Sequence, residues 1–83
     1  MDFTLSKHAE EMVRERGIDL AWLNMTLQTP DMFQCDQNDL TLIHVWRRIP
    51  EFGNRTLRVI YNRTKMPPHI VTVYFDRAVK GEL

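Results

Sequence analysis

The hydrophobic periodicity of this sequence changes once, near Pro30. Before Pro30 the apolar residues recur at helical spacing, and after it they alternate with polar residues in the period of two that is typical of strands. A chain that presents helices first and strands afterwards is expected to fold as an α+β protein, with its helices against a sheet. The 83 residues predict a single domain over residues 1–83.

Two helices are predicted in the helical part of the sequence. Ser6 or Thr4 can cap the first helix, over about Lys7–Arg16, and a glycine follows its end. Asp19 can cap the second helix, in which leucines recur at i, i+3 and i+7. Thr29-Pro30 ends it, because the residue before a proline disfavours the helical conformation. Both helices are short and amphipathic.

Three or four strands are predicted after Pro30. Met32–Cys35 is expected to be a short edge strand, followed by strands over residues 40–49, 56–62 and His69–Phe75. A turn separates the second strand from the third, and a loop with two prolines precedes the last strand. The predicted fold is α+β, with the two N-terminal helices packed on one face of a three- to four-stranded antiparallel sheet.

Alternation along the strands assigns each side chain to a face of this sheet. The face toward the helices is predicted to carry Ile43, Val45, Leu57, Val59, Val71, Val73 and Phe75. The other face is predicted to carry His44, Trp46, Arg48, Arg58, Thr72 and Tyr74. A chain of this size has a thin core, so we expect its working surface to be this open face or a shallow cleft.

Charge is distributed unevenly along the chain, although the net charge is zero. The segment from Arg47 to Lys65 contains six basic residues and one acidic residue, whereas the part before it is acidic. A concentrated basic segment is a candidate anion-binding region, and solvated charge on a sheet is the alternative. The candidate nucleic-acid-binding residues in this segment are Arg47, Arg48, Arg55, Arg63 and Lys65.

The cysteine and histidine contents argue against a metal site. Cys35 is the only cysteine, which excludes an intrachain disulfide and a four-thiolate metal site, and we expect it to be a small buried residue. The spacing of His8, His44 and His69 matches no metal motif. We therefore expect no metal and no cofactor. The sequence contains no apolar run of membrane-spanning length, and we expect a cytoplasmic protein.

Several short motifs occur in a particular order along nearly the whole chain. They are Ser6-Lys7-His8-Ala9, Arg16-Gly17-Ile18-Asp19, Thr29-Pro30-Asp31, Arg55-Thr56-Leu57-Arg58-Val59 and Ile70-Val71-Thr72-Val73-Tyr74. In this order they resemble the small bacterial domain-of-unknown-function family 4258. The resemblance implies a relationship to the RelE/BrnT-type ribonuclease toxin fold. It therefore implies a metal-independent endoribonuclease or an inactive relative, with RNA and a cognate antitoxin or immunity protein as partners.

His8 is the candidate general base. It lies in the first turn of the predicted first helix, where backbone N–H groups favour an anion, and imidazole titrates near neutral pH. The alternative is a hydrogen bond to a neighbouring carboxylate such as Glu11. Arg16 lies two turns further on, about 80° round the helix, so both residues can border one cleft. The family resemblance implies a basic residue four positions after the histidine, where this sequence has Met12.

Arg16, Arg58 and Tyr74 complete the candidate catalytic set. Metal-free RNA cleavage needs a base, an acid and cations that balance charge in the transition state, and His8, Tyr74 and the two arginines can fill these roles. The alternatives are an ion pair of Arg16 at a helix end, an ion pair of Arg58 with a partner such as Glu51, and an amphipathic sheet position for Tyr74.

The sequence leaves two functions open. The first is a toxin-like, metal-independent endoribonuclease, and the second is a non-catalytic protein- or RNA-binding module that uses the basic face or an exposed strand edge. Trp22 and Met25 lie outside the leucine stripe of the second helix, and Trp46 lies on the open face. They are candidate partner contacts, with core packing as the favoured alternative for Met25.

Overall fold

The computed structural model describes residues 2–79, which form two α-helices and a five-stranded sheet. The elements in chain order are β1 (Thr4–Leu5), α1 (Lys7–Arg16), α2 (Leu20–Gln28), β2 (Met32–Cys35), β3 (Leu42–Ile49), β4 (Arg55–Asn62) and β5 (His69–Phe75). A short 3₁₀ turn over Pro50–Phe52 connects β3 to β4. The strand order across the sheet is β1-β5-β4-β3-β2.

The sheet is mixed, and the prediction of a purely antiparallel sheet with three or four strands was wrong. Strands β2 to β5 are antiparallel, but β1 pairs in parallel with β5, with Thr4 opposite His69. The two residues of β1 are too few to show an alternating pattern. Their strand conformation depends on a pairing partner 65 residues away, which no local signal can reveal.

Both helices have the predicted positions because their caps act locally. The Ser6 hydroxyl accepts a hydrogen bond from the Ala9 amide at 3.0 Å, and the Asp19 carboxylate accepts one from the Ala21 amide at 2.9 Å. Helix α1 ends at Gly17, whose φ of 62° is the left-handed conformation that glycine adopts most readily. The alternative cap Thr4 belongs instead to β1.

The core lies between the helices and one face of the sheet. Helix α1 contacts β5, and α2 contacts β3 and β4. The fully buried core side chains include Ala9, Leu23, Ile49, Leu57, Val59, Ile70 and Val73. The prediction that Val71 faces the helices was wrong, because the register shifts between Ile60 and Tyr61 and pairs them with Thr72 and Ile70. Ile70 therefore occupies the core position, and Val71 is half-buried.

Three further predictions about burial were wrong or incomplete. Cys35 is exposed rather than buried, because β2 is the outer strand of the sheet. Trp46 lies on the open face as predicted but is only 3% exposed, since Arg58 covers its ring. Trp22 is partly buried and packs against Phe52, with ring centroids 5.2 Å apart. Neither tryptophan is therefore a freely exposed partner contact.

Within residues 2–79, neither helix has the length and apolar content needed to cross a membrane.

Candidate functional site

A cleft of about 650 Å³ lies where the end of α1, the start of β4 and the end of β5 meet. We call it the arginine cleft because Arg16, Arg55 and Arg77 line it, together with Tyr74 and Phe52. Two of the four candidate catalytic residues, Arg16 and Tyr74, thus border the same cavity. They are far apart in the sequence, and the packing of α1 against β5 brings them together.

The local backbone explains how these side chains reach the cleft. Arg16 is the last residue of α1, directly before the left-handed Gly17. Arg55 is the first residue of β4 and follows a tight turn in which Gly53 and Asn54 have positive φ values of 65° and 56°. Such a turn favours glycine and asparagine, the two residues that adopt this conformation most readily.

The arginine cleft is cationic. Arg16 and Arg77 form no ion pair with any residue between 2 and 79, and the Arg55 guanidinium lies 5.0 Å above the Phe52 ring. Among the described residues that line the cleft, Asp76 contributes the only carboxylate. Its charge is already balanced by an arginine outside the cleft lining, so the cleft retains its positive charge.

That arginine is Arg58. Its Nη1 lies 3.0 Å from Oδ2 of Asp76, and the same oxygen accepts a hydrogen bond from the Trp46 indole at 3.0 Å. Burial by itself raises the pKa of Asp76. Hydrogen bonds from Trp46, the Ala78 amide and Arg58, together with the Arg58 charge, outweigh burial and hold the pKa of Asp76 below its ordinary value.

Arg58 is also held from its other side by His44. Its Nη2 and Nε lie 2.6 Å and 3.2 Å from Nδ1 of His44. A guanidinium can only donate hydrogen bonds, so Nδ1 is the acceptor and Nε2 carries the ring proton. That Nε2 donates to Asp36 at 2.7 Å, so both ring nitrogens are occupied. The His44 hydrogen bond and the Asn38 and Asp39 amides lower the pKa of Asp36.

The guanidinium of Arg58 also contacts two aromatic rings. It lies 4.7 Å from the ring centroid of Trp46 and 5.6 Å from that of Tyr74. Arg58 therefore packs against the Tyr74 ring, and its ionic partner is Asp76 rather than Glu51, the example partner in the alternative interpretation. Its side chain is 24% exposed, which limits its direct access to a ligand.

His8 does not line the cleft, in contrast to Arg16 at the other end of α1. It is exposed, and its Nε2 is 3.0 Å from the hydroxyl of Thr72, two residues before Tyr74 on the same strand. Its partner is thus Thr72 rather than Glu11. His69 bonds the hydroxyl of Thr4 at 2.7 Å, so the three histidines have separate partners. No group of three or more metal-type ligands occurs in residues 2–79.

The other basic residues of the 47–65 segment do not share one surface. Arg47 lies on the helix side and donates to the carbonyl and hydroxyl oxygens of Thr29, at the end of α2. Arg48 pairs with Thr56 on the open side. Arg63 and Lys65 follow the far end of β4, roughly 25 Å from Arg55 for eight residues of strand. Only Arg55 of this set reaches the arginine cleft.

The sequence did not single out Asp76 or Arg77. Alternation does place Asp76 two residues after Tyr74, on the same side of the chain, so a signal for its position was present. Nothing local indicated that its oxygen meets both Arg58 and Trp46, because these contacts join three different elements. His44 was considered only as a metal ligand and instead positions Arg58.

Fold and cleft together define a small α+β domain with a cationic, aromatic-lined cavity at one end of a mixed sheet. The chain belongs to the family described as domain of unknown function (DUF4258), whose model matches residues 5–75. This confirms the family that the sequence motifs indicated. Neither the comparison with curated proteins nor that with solved structures gave a match.

Proposed function

We propose that this protein binds single-stranded RNA in the arginine cleft and cleaves it without a metal ion. The observation that carries the proposal is the convergence of Arg16, Arg55 and Arg77 around Tyr74, with no carboxylate of the described lining left to neutralise them. Guanidinium groups bind phosphate through paired hydrogen bonds, and aromatic rings stack on unpaired bases. The cleft offers both kinds of contact within one cavity.

Cleavage in this proposal is a transesterification. The ribose 2′-oxygen forms a bond to phosphorus while the bond to the 5′-oxygen breaks, which leaves a 2′,3′-cyclic phosphate and a 5′-hydroxyl. His8 takes the 2′-hydroxyl proton through Nδ1, because its Nε2 is bonded to Thr72. Tyr74 donates its proton to the leaving oxygen, and Arg16 and Arg77 offset the charge that develops on the phosphate.

The proposal includes the relationship to the RelE/BrnT-type toxin fold. An RNA-cleaving domain of this kind acts in the cytoplasm, where its substrate is found. A domain of this toxin type would also have a cognate antitoxin or immunity protein, which binds it and restrains cleavage. A partner of this class would need to be acidic where it covers the arginine cleft.

A second candidate is RNA binding without cleavage. Two observations favour it: His8 does not line the cleft, and Met12 occupies the position where the family resemblance implies a basic residue. Met12 packs against the core and adds no charge near His8. Both candidates require the arginine cleft to bind RNA, so binding and cleavage are tested separately.

Binding is tested by the fluorescence anisotropy of a labelled, unstructured RNA oligonucleotide, titrated in chelator at several salt concentrations. The double variant Arg16→Ala/Arg77→Ala is expected to bind the RNA more weakly. The slope of log binding constant against log salt concentration should become less steep by about 1.4, because each phosphate contact to a single strand contributes about 0.7. Arg14→Ala is the matched control, because Arg14 is exposed on the same last turn of α1 but does not line the cleft. An unchanged slope in the double variant would refute the proposal.

Cleavage is tested by mass spectrometry of the same RNA after incubation in chelator. A 2′,3′-cyclic phosphate product is expected, and Tyr74→Phe should lower its rate by about 10² or more while keeping the stacking ring and the affinity. Binding without any product would select the second candidate.

A further inference from the structure

A second cavity, of about 210 Å³, opens on the sheet face that the helices leave uncovered. It is lined by Gln34 and Cys35 of β2, by Asp36, Gln37 and Asn38 of the following loop, and by His44 and Arg58. We call this cavity the amide pocket. None of these residues except Arg58 was among the predicted site residues.

The ionisable groups of the amide pocket already satisfy one another. Asp36 accepts from His44, His44 accepts from Arg58, and Arg58 donates to Asp76. Because both nitrogens of His44 are engaged, the pocket contains no imidazole available as a general base. Its chemistry therefore points to binding rather than to catalysis.

The carboxamide side chains of the amide pocket are the groups that remain available to bind a ligand. The side chains of Gln34, Gln37 and Asn38 are exposed and form no hydrogen bond within residues 2–79; Asn38 uses only its backbone amide, toward Asp36. Each carboxamide can donate and accept at the same time. That combination matches the mixed donor and acceptor edge of a nucleobase, whereas the Asp36 carboxylate disfavours a phosphate in the same space.

The amide pocket and the arginine cleft are separated by a single ion pair. Arg58 borders the pocket and Asp76 borders the cleft, and their charged atoms are 3.0 Å apart. The guanidinium of Arg58 is in addition 5.6 Å from the ring centroid of Tyr74 in the cleft. A chain whose phosphate lies in the cleft can therefore extend its neighbouring nucleotide toward the pocket.

We propose that the amide pocket binds one unpaired base of the RNA whose phosphate is held in the arginine cleft, and that it confers a base preference at that position. This inference rests on the proposed function, since the RNA must first bind in the cleft. Gln34 and Asn38 are the residues that read the base edge, and Arg58 is a positioning residue that lies between the two cavities.

The test measures anisotropy with labelled hexauridine in which each position in turn is replaced by A, C, G or an abasic ribose. At one position the parent protein is expected to distinguish the replacements by about 5-fold or more in Kd, the smaller end of the range for a paired base contact. The double variant Gln34→Ala/Asn38→Ala should reduce this difference to less than about 2-fold while retaining the salt slope. The single variant Asn38→Ala provides the same comparison with one change.

Gln28→Ala is the matched control, because Gln28 is an exposed carboxamide at the end of α2, outside both cavities. It should retain the parent's base preference. Binding without preference at any position, or a preference that survives in the double variant, would overturn the inference while leaving RNA binding in the cleft intact. A parent protein that binds none of the oligonucleotides would overturn the proposed function and this inference together.

Discussion

Arg58 and Asp76 form an ion pair between the middle of β4 and the residue that follows β5, with 3.0 Å between Nη1 and Oδ2. The Trp46 indole donates to the same carboxylate oxygen, so three elements of the sheet meet at one buried group. Because Asp76 lines the arginine cleft and Arg58 lines the amide pocket, this pair connects the two cavities. Stability and binding should both depend on it.

Asp76→Ala is expected to lower the free energy of unfolding by about 2–4 kcal/mol, because it leaves a buried indole N–H and a partly buried guanidinium without their acceptor. Urea unfolding followed by tryptophan fluorescence measures the change. Glu51→Ala is the control, since Glu51 is exposed and forms no ion pair within residues 2–79. It should stay within about 0.5 kcal/mol of the parent. Equal effects of the two substitutions would show that the buried pair does not stabilise the fold.

The stability of the parent protein should fall in acid partly because of Asp76. Hydrogen bonds and the Arg58 charge outweigh burial and keep the pKa of Asp76 below the ordinary value of 3.8. A carboxyl whose pKa is depressed by folding stabilises the protein fully above its unfolded pKa, and this contribution is lost as pH falls through the folded value. Unfolding free energies of the parent should therefore decline below about pH 4 more steeply than those of Asp76→Asn.

Urea titrations at a series of pH values compare the two proteins. The unfolding free energy of Asp76→Asn should still decline in acid, but less steeply. The remaining decline is expected because hydrogen bonds also lower the pKa values of Asp36 and Asp39. Identical slopes in the parent and the variant would contradict a folded-state role for the Asp76 charge.

His8→Ala should separate chemistry from stability. His8 is exposed and has one hydrogen bond, to Thr72, so its loss should change the free energy of unfolding by less than about 1 kcal/mol. Any RNA cleavage should fall by about 10²–10⁴, the usual contribution of a positioned general base. His69→Ala is the matched control, because His69 also bonds a threonine hydroxyl, that of Thr4, but lies at the start of β5, further along the strand from Tyr74 than Thr72.

Cleavage rates on the labelled oligonucleotide and urea unfolding of both histidine variants provide the comparison. If cleavage survives His8→Ala, the base lies elsewhere. If His8→Ala unfolds the protein, the role of His8 is structural, and its bond to Thr72 holds α1 against β5.

The double variant Arg63→Ala/Lys65→Ala should leave the affinity for a hexanucleotide within about 2-fold, because surface cations distant from a ligand are largely screened by salt. Both residues follow the end of β4 opposite to Arg55. Anisotropy under the conditions used for Arg16→Ala/Arg77→Ala measures the effect. A loss as large as that of the cleft variant would mean that RNA follows the whole open face of the sheet.

Much of the secondary structure could be predicted because its signals are local. The bounds of α1 agree with the cap at Ser6 and the glycine after Arg16, and the edge strand Met32–Cys35 and the last strand have the predicted positions. Strand β1 and the register shift near Tyr61 could not be predicted. Both exist only through pairing with β5, so no pattern within the segment itself specifies them.

The candidate site could be predicted only in part. Arg16 and Tyr74 line one cleft, and His8 bonds Thr72, two strand positions before Tyr74. The basic segment, by contrast, does not form one surface. Arg47 and Arg48 are neighbours in the chain, and alternation in β3 directs them to opposite sides of the sheet.

Local signals in the sequence account for the two helices and for the strands after Pro30, because caps, periodicity and proline positions act over a few residues. Which side chains meet depends instead on how these elements pack together. Arg16, Arg55 and Arg77 come from α1, β4 and the segment after β5, and they converge because β4 and β5 are neighbours in the sheet and α1 packs along β5. Strand order results from the burial of the whole apolar face at once, a cooperative property that no local segment encodes.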